Sequence, residues 1–161
     1  MSGRSRMGKS VLVVDDEADI RKALRIVLEA EGYQVLEAGG GLDALQMVHQ
    51  ARPELIILDI MMPHMDGLEV LRRLEADPET AGLPVIFLSI LSSEMDVMHG
   101  LEQGAVEYIT KPFDPFQVAR TVRMMLEELD REGRHRYRQQ LIERRRRGFT
   151  PLHRLFHSPE E

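Results

Sequence analysis

The feature that most constrains the fold is a set of short, almost purely apolar runs. They lie at residues 11–14, 55–58, 85–88 and, more weakly, 108–109. Because apolar and polar residues do not alternate within them, both faces of each run need cover, as in a parallel β-sheet flanked by helices. A more polar run at residues 33–38 predicts a further strand, at an edge of the sheet.

Helical periodicity separates these runs. The clearest apolar stripe has the spacing of one helix face and comprises Ile20, Ala23, Leu24, Val27 and Leu28. Gly32 predicts its end. Shorter helices are expected at residues 42–50, 67–76 and 94–103, and Pro115 suits the first turn of a last helix that continues to Leu129. Five strand–helix repeats with right-handed crossovers predict an α/β fold, an open five-stranded parallel sheet with helices on both faces.

The charge of the chain is divided unevenly. The 161 residues carry a net charge of −6, yet residues 1–130 hold 12 Lys and Arg against 23 Asp and Glu, whereas residues 131–161 hold 9 Arg against 4 Glu. The basic segment is too short to bury a core of its own. We therefore predict a flexible leader at residues 1–8, a domain at residues 9–130 and a basic, partly helical or disordered tail at residues 131–161.

The chain contains no cysteine. This composition excludes a disulfide framework, a zinc–thiolate site and a thiol nucleophile, and it favours a reducing compartment. The apolar run behind the basic first residues is far too short for a signal peptide or a membrane span. We expect a cytoplasmic protein that does not contact the membrane.

Polar side chains follow the predicted strands, at the edge where ligands bind in sheets of this kind. Asp15 and Asp16 follow the first strand, Asp59 the third, Ser89 the fourth and Lys111 the fifth. Carboxylates brought together there would repel one another and so capture a divalent cation. Oxygen ligands without His or Cys point to Mg²⁺.

A simpler interpretation treats each of these residues separately. Asp15, Asp16 and Glu17 would cap the helix that follows, since acidic residues favour helix N-termini. Asp59 would be a turn residue and Lys111 a solvated surface charge. The occurrence of all of them at one predicted edge favours a functional site.

Three segments together resemble a known family. They are residues 11–16 (VLVVDD), 58–67 (LDIMMPHMDG) and 108–113 (YITKPF). In order and spacing they are similar to the receiver domains of two-component response regulators, over residues 9–130. The resemblance implies a flavodoxin-like (βα)5 fold with strand order 2-1-3-4-5 and a role in phosphorelay signal transduction.

The resemblance also implies roles for individual residues. Asp59 matches the phosphoacceptor, which takes a phosphoryl group from a sensor histidine kinase or a small phosphodonor. Asp16, Asp59 and the backbone carbonyl of Met61 match direct Mg²⁺ ligands, and Asp15 matches a contact through water. The protein would not be an enzyme in the usual sense, since it would catalyse only its own phosphoryl transfer and dephosphorylation.

Three further residues match the switch of the family. Ser89 matches the hydroxyl that binds a phosphoryl oxygen, Lys111 its cationic partner, and Tyr108 the ring that reorients on activation. A downstream protein or a second copy of the chain would then bind the face near Tyr108 and the last helix.

Some residues depart from the family pattern. Ile90 stands where the family most often has alanine or glycine, and Met61 and Leu91, each two residues past a reactive position, are apolar. The β-branched Ile90 would narrow the phosphoryl pocket or shield it from water, and Met61 and Leu91 would give little polar help to an attacking water. We therefore predict a long-lived phosphoryl group.

Other motifs are discounted. Residues 3–10 match the pattern of a phosphate-binding loop but precede a strand instead of following one. Thr150 and Pro151 predict a short capped helix, and His64 is expected to be a solvated loop residue.

The tail leaves the output open. It is too short for a familiar output domain, so we expect a stand-alone receiver that acts through protein contacts. The arginines of the tail would dock an acidic partner or attach weakly to nucleic acid. Alternatively, the tail is an amphipathic segment that becomes ordered on binding, or a disordered segment that keeps the protein in solution. The alternatives to a phosphorylation switch are a phosphorylation-independent receiver-fold scaffold and nucleic-acid attachment through the tail.

Overall fold

The computed structural model describes residues 8–90 and 94–156, with side chains for all of these except residues 94–96 and 148–156. The strands are β1 (Ser10–Val14), β2 (Gln34–Ala38), β3 (Leu55–Asp59), β4 (Val85–Ser89) and β5 (Glu107–Thr110). The helices are α1 (Ala18–Ala30), α2 (Gly41–Ala51), α3 (Gly67–Ala76), α4 (Glu94–Gln103), α5 (Pro115–Arg123) and α6 (Arg131–Phe156).

The strands form one parallel sheet in the order β2-β1-β3-β4-β5. The predicted fold class and strand order are confirmed. Every residue of the central strands β1, β3 and β4 is buried, as their unbroken apolar runs predicted. The more polar β2 lies at an edge and is only partly buried.

The core consists of two layers, one on each side of the sheet. Leu12 and Val14 of β1 face the layer that includes residues of α2, α3 and α4. Val11 and Val13 face the other layer, which includes residues of α1 and α5. Both sides of the sheet are thus packed, which fixes the positions of the residues at the strand ends.

Two helix ends follow the sequence signals, and one departs from them. Gly32 has a positive φ of 99° just after α1, as expected for the residue that ends a helix. Pro115 occupies the first turn of α5. The stripe predicted to run on to Leu129, however, leaves α-helical geometry at Met124, and a π-helical turn follows (Met124–Glu128). Met125 is still fully buried there.

Residues 131–156 form one continuous helix, α6. The prediction of a short separate helix that begins at Thr150 is therefore wrong. Extending a helix that already exists fixes one residue for each new hydrogen bond, whereas a new helix needs a costly first turn. Within the described part of the chain, none of the helices combines the length and the apolar character that crossing a membrane requires.

Candidate functional site

Three carboxylates meet at the carboxyl ends of β1 and β3. Asp15, Asp16 and Asp59 each offer an oxygen, and these oxygens lie within 4.8 Å of one another. Asp15 is fully buried and Asp59 is 2% exposed, whereas Asp16 is exposed to solvent. The structure therefore brings together the carboxylates that the sequence placed at one edge, and leaves the cluster open on one side.

Asp59 is held by the backbone that follows it. It is the last residue of β3, and its Oδ1 accepts a hydrogen bond of 3.2 Å from the backbone N–H of Met61. The start of α3 passes so close that a Cβ on Gly67 would lie 2.4 Å from the Asp59 carbonyl oxygen. Only glycine fits at this position, which therefore helps to set the path of the chain around Asp59.

Asp15 is held by residues at the start of α1. Its Oδ1 accepts from the backbone N–H of Glu17 at 2.9 Å, and Arg21 donates to its backbone carbonyl at 2.6 Å. The residue that caps α1 is Glu17, and its side chain makes no capping hydrogen bond. The structure therefore gives no support to the interpretation that Glu17 caps the helix through its carboxylate.

Lys111 reaches into the carboxylate cluster from the end of β5. Its Nζ lies 2.9 Å from Asp15 Oδ2, 3.3 Å from Asp59 Oδ2 and 3.8 Å from Glu17 Oε1. Its side chain is 7% exposed, and its backbone N–H donates to the carbonyl of Ser89 at 2.7 Å. It is not the solvated surface charge of the simpler interpretation, because it lies buried between two carboxylates.

The charges of the cluster do not balance, and this affects how its groups ionise. Burial, and then the nearby charge of Asp15, raise the pKa of Asp59 to about 6, although Lys111 and the Met61 N–H act in the opposite direction. Burial lowers the pKa of Lys111, but Asp15 and Asp59 outweigh it and leave that pKa above its ordinary value. One ammonium therefore does not offset all of the negative charge.

The donor set of the cluster suits a hard cation such as Mg²⁺. Its side-chain donors are carboxylate oxygens, the ligands that Mg²⁺ prefers. Among the described residues, no group makes a well-directed hydrogen bond to the buried Oδ2 of Asp15, although Lys111 Nζ lies within ion-pair distance. This oxygen retains capacity for a cation or for a water bound to one.

The remaining predicted residues differ in how far they are buried. Ser89 is fully buried at the end of β4 and pairs in register with Thr110 of β5. Tyr108 of β5 is partly buried against the core layer that contains residues of α4. Met61 and Ile90 are 60% and 59% exposed. His64 is exposed, as expected, and Leu91 lies outside the described residues.

Two contacts in the structure were not predicted from sequence. Arg21 binds both the backbone of Asp15 and the side chain of Glu37 on β2. Its position in the chain, one helical turn after Glu17, could have suggested a contact near the start of α1. The second feature is the contact of Arg145 with Tyr108, whose ring centroid lies 5.5 Å from the guanidinium carbon.

Comparison with known proteins agrees with this geometry. The sequence model of the response regulator receiver domain family matches residues 11–123. The DNA-binding response regulator MtrA of Mycobacterium tuberculosis is 42% identical over 126 residues, which are 78% of this chain and 54% of that protein. The phosphate regulon transcriptional regulatory protein PhoB of Pseudomonas aeruginosa is 41% identical over 120 residues, which are 74% of this chain and 52% of that protein.

Solved structures lead to the same family. A signal receiver domain of a histidine kinase from Syntrophus aciditrophicus aligns with a TM-score of 0.70 and 37% identity, over 77% of this chain and 94% of that one. The chemotaxis protein CheY4 of Vibrio cholerae aligns with a TM-score of 0.69 and 31% identity, over 73% and 98%. This chain spans about half the length of MtrA and PhoB. On these findings the chain belongs to the response regulator receiver family.

Proposed function

We propose that this protein is a phosphorylation-dependent response regulator whose Asp59 accepts a phosphoryl group. The donor is a sensor histidine kinase or a small acyl phosphate. The observation that carries the proposal is the position of Asp59, which is buried beside Lys111 and two further carboxylates at the carboxyl ends of the strands. An isolated turn aspartate would need none of these neighbours.

The chemistry is a phosphoryl transfer to a carboxylate. A carboxylate oxygen of Asp59 attacks the phosphorus, the P–N bond of a phosphohistidine or the P–O bond of an acyl phosphate breaks, and the leaving group takes the electron pair. The attacking group must be ionised. With a pKa of about 6, Asp59 is mostly ionised at neutral pH. Lys111, at 3.3 Å from Asp59, offsets charge on the incoming group.

Mg²⁺ is the cofactor that the site suits. Asp15, Asp16, Asp59 and the backbone carbonyl of Met61 would hold it, with Asp15 acting through a bound water. When bound, the ion neutralises the charge that gathers on the phosphoryl oxygens. The hydroxyl of Ser89, at the end of the neighbouring strand, would donate to one of these oxygens.

Loss of the phosphoryl group requires a water that is positioned for attack on phosphorus. Met61 and Ile90 are apolar and exposed beside the site, so their side chains cannot orient such a water by hydrogen bonding. We therefore expect the protein to catalyse hydrolysis of its own aspartyl phosphate only slowly.

The partners follow from the same proposal. They are the donor kinase and a downstream protein, or a second copy, that binds the face near Tyr108. A cytoplasmic location stays a prediction. Attachment to nucleic acid through the arginines of residues 131–161 has less support, because Arg146 and Arg147 pair with Glu102 and Glu143.

The test is phosphorylation by acetyl phosphate and Mg²⁺, read on a phosphate-affinity gel. Asp59→Asn should abolish the shifted band, since an amide is not a nucleophile for this transfer. Asp66→Asn is the matched control, because Asp66 is an exposed carboxylate that caps α3 in the same loop and asparagine also caps helices. A shifted band in the Asp59→Asn variant would overturn the proposal, as would its loss in the control.

A further inference from the structure

Helix α6 packs against one face of the domain. This surface, called here the α4–β5 face, consists of Val97, Leu101, Glu102, Glu107 and Tyr108. Ile142, in the middle of α6, is only 4% exposed and belongs to the same core layer as Val97 and Leu101. The helix thus contributes to the hydrophobic core of the domain.

One row of α6 residues binds α4. Arg138, Ile142 and Arg146 are spaced by four, which places them on one side of the helix. Arg138 donates to the backbone carbonyl of Leu101 at 2.7 Å, and Arg146 forms an ion pair with Glu102. The contacts lie on both sides of the buried Ile142 and fix α6 along more than two turns.

A neighbouring row of α6 residues binds β5. Tyr137 donates a hydrogen bond from its hydroxyl to Glu107, and Arg145 lies over the ring of Tyr108. Both contacts bring a donor or a cation of α6 to an acceptor or a π-face of the domain. The basic helix and the acidic α4–β5 face are therefore complementary in charge as well as in shape.

The two elements that α6 binds also lead to the phosphorylation site. Helix α4 follows β4, which ends at Ser89, and β5 ends one residue before Lys111. Ser89 and Lys111 are joined by a backbone hydrogen bond of 2.7 Å. A shift of either residue would therefore pass directly to the elements on which α6 rests.

A phosphoryl group on Asp59 would require such a shift. In the structure Lys111 Nζ lies 3.3 Å from Asp59 Oδ2, so the two groups are in direct contact. Bonding to phosphoryl oxygens would draw Lys111 and Ser89 to new positions around a larger, more highly charged group. The contacts that α6 makes with α4 and β5 therefore belong to the unphosphorylated arrangement, in which Lys111 pairs directly with Asp59.

We propose that α6 is an autoinhibitory cover of the α4–β5 face and that phosphorylation of Asp59 weakens its hold. The inference rests on the proposed function of Asp59. Since α6 favours one arrangement of α4 and β5 and the phosphoryl group favours another, each disfavours the other. By linkage the effect is reciprocal, so a change that frees α6 must also strengthen binding of a phosphoryl mimic at Asp59. A partner of the α4–β5 face competes with α6 for it.

The test uses the full chain, with beryllofluoride and Mg²⁺ as the probe. Calorimetry measures the dissociation constant of beryllofluoride, and hydrogen exchange measures the amides of residues 137–147. Ile142→Asp places a charge in the buried contact and should free α6. Gln140→Asp is the matched control, because Gln140 is exposed on the other side of the same helix. Tyr137→Phe removes only the hydroxyl that binds Glu107 and serves as a milder variant.

We expect beryllofluoride to speed exchange in residues 137–147 of the wild type. Ile142→Asp should bind it at least about fivefold more tightly, Tyr137→Phe should change in the same direction, and Gln140→Asp should match the wild type. If the wild type binds beryllofluoride normally but both variants show unchanged exchange and unchanged affinity, α6 is not an autoinhibitory cover. The proposed function of Asp59 would not be affected by that result. Failure of the wild type to bind, or binding by Asp59→Asn, would instead overturn the proposed function.

Discussion

The carboxylate cluster and the α4–β5 face are both charged, yet they hold their charges in different ways. At the cluster, Asp15 and Asp59 share the ammonium of Lys111, and the pKa of Asp59 is raised. On the α4–β5 face, Arg146 pairs with Glu102 in an exposed ion pair. The cluster is thus electrostatically unfavourable until a cation binds, whereas the face is already complementary. Removing a carboxylate from the cluster should therefore stabilise the metal-free protein, whereas removing a charge from the face should loosen α6.

The largest effect is expected from Lys111→Met. It would leave Asp15 and Asp59 buried without their cation, which typically costs about 3–5 kcal/mol of unfolding free energy. Urea unfolding at neutral pH in EDTA measures this change. Lys22→Met, at an exposed position of α1, is the matched control and should change stability by about 0.5 kcal/mol or less. Equal stability of the two variants would mean that Lys111 does not balance the cluster.

The next effect has the opposite sign. Asp59→Asn should stabilise the metal-free protein at neutral pH, on the order of 2 kcal/mol, while it abolishes phosphorylation. The raised pKa means that folded Asp59 binds its proton more tightly than unfolded Asp59. Stability from this group is therefore present at low pH and lost as the pH rises through about 6.

Unfolding of both proteins across that pH range in EDTA tests the sign. The advantage of Asp59→Asn should be absent near pH 3.8, the unperturbed pKa of the group, and complete above about pH 6. Asp66→Asn should show no such trend. If the wild type is more stable than Asp59→Asn at neutral pH, the ionised carboxylates of the cluster do not destabilise the metal-free protein.

A smaller effect is expected on the α4–β5 face. Arg146→Gln removes an exposed ion pair with Glu102, worth about 1 kcal/mol or less. Hydrogen exchange within α6 should rise modestly, and the difference should shrink at high salt. Arg147→Gln is the matched control, because its partner Glu143 lies within α6 itself. Exchange that is insensitive to Arg146→Gln would mean that this pair does not hold the helix.

The smallest effect concerns the lifetime of the phosphoryl group. Met61→Gln would introduce an amide that can orient an attacking water, and we expect hydrolysis to speed up roughly threefold, under 1 kcal/mol of barrier. Decay after removal of the donor measures the rate. Ile26→Gln changes an equally exposed apolar residue of α1 and should leave it unaltered. Faster decay in the Ile26 variant would show that the effect does not depend on position.

The same two regions differ in how far they could be predicted. The cluster could be predicted because β1, β3, β4 and β5 are each marked by a short local sequence pattern. Parallel strands bring their carboxyl ends together whatever lies between them in the chain. Asp59 and Ser89 are the last residues of their strands, and Asp15 and Lys111 directly follow theirs. Their positions therefore follow from local sequence and sheet geometry.

The packing of α6 could not be predicted in this way. Its arginines give a strong charge signal, but the contact with α4 depends on Ile142, which with Leu141 forms a short apolar pair within a polar stretch. An apolar pair this short does not identify its partner in sequence. The direct contact of Lys111 with Asp15 was missed for a related reason, because side-chain conformation is settled only by the assembled charges.

The central claim is that Mg²⁺ and the carboxylate cluster make Asp59 the acceptor of a phosphoryl group. Mass spectrometry after incubation with acetyl phosphate tests it most directly, with peptide mapping to find the modified residue. We expect one phosphoryl group, located on Asp59, gained with Mg²⁺ and not with EDTA. A phosphoryl group on another residue, or equal transfer to Asp59 in EDTA, would contradict it.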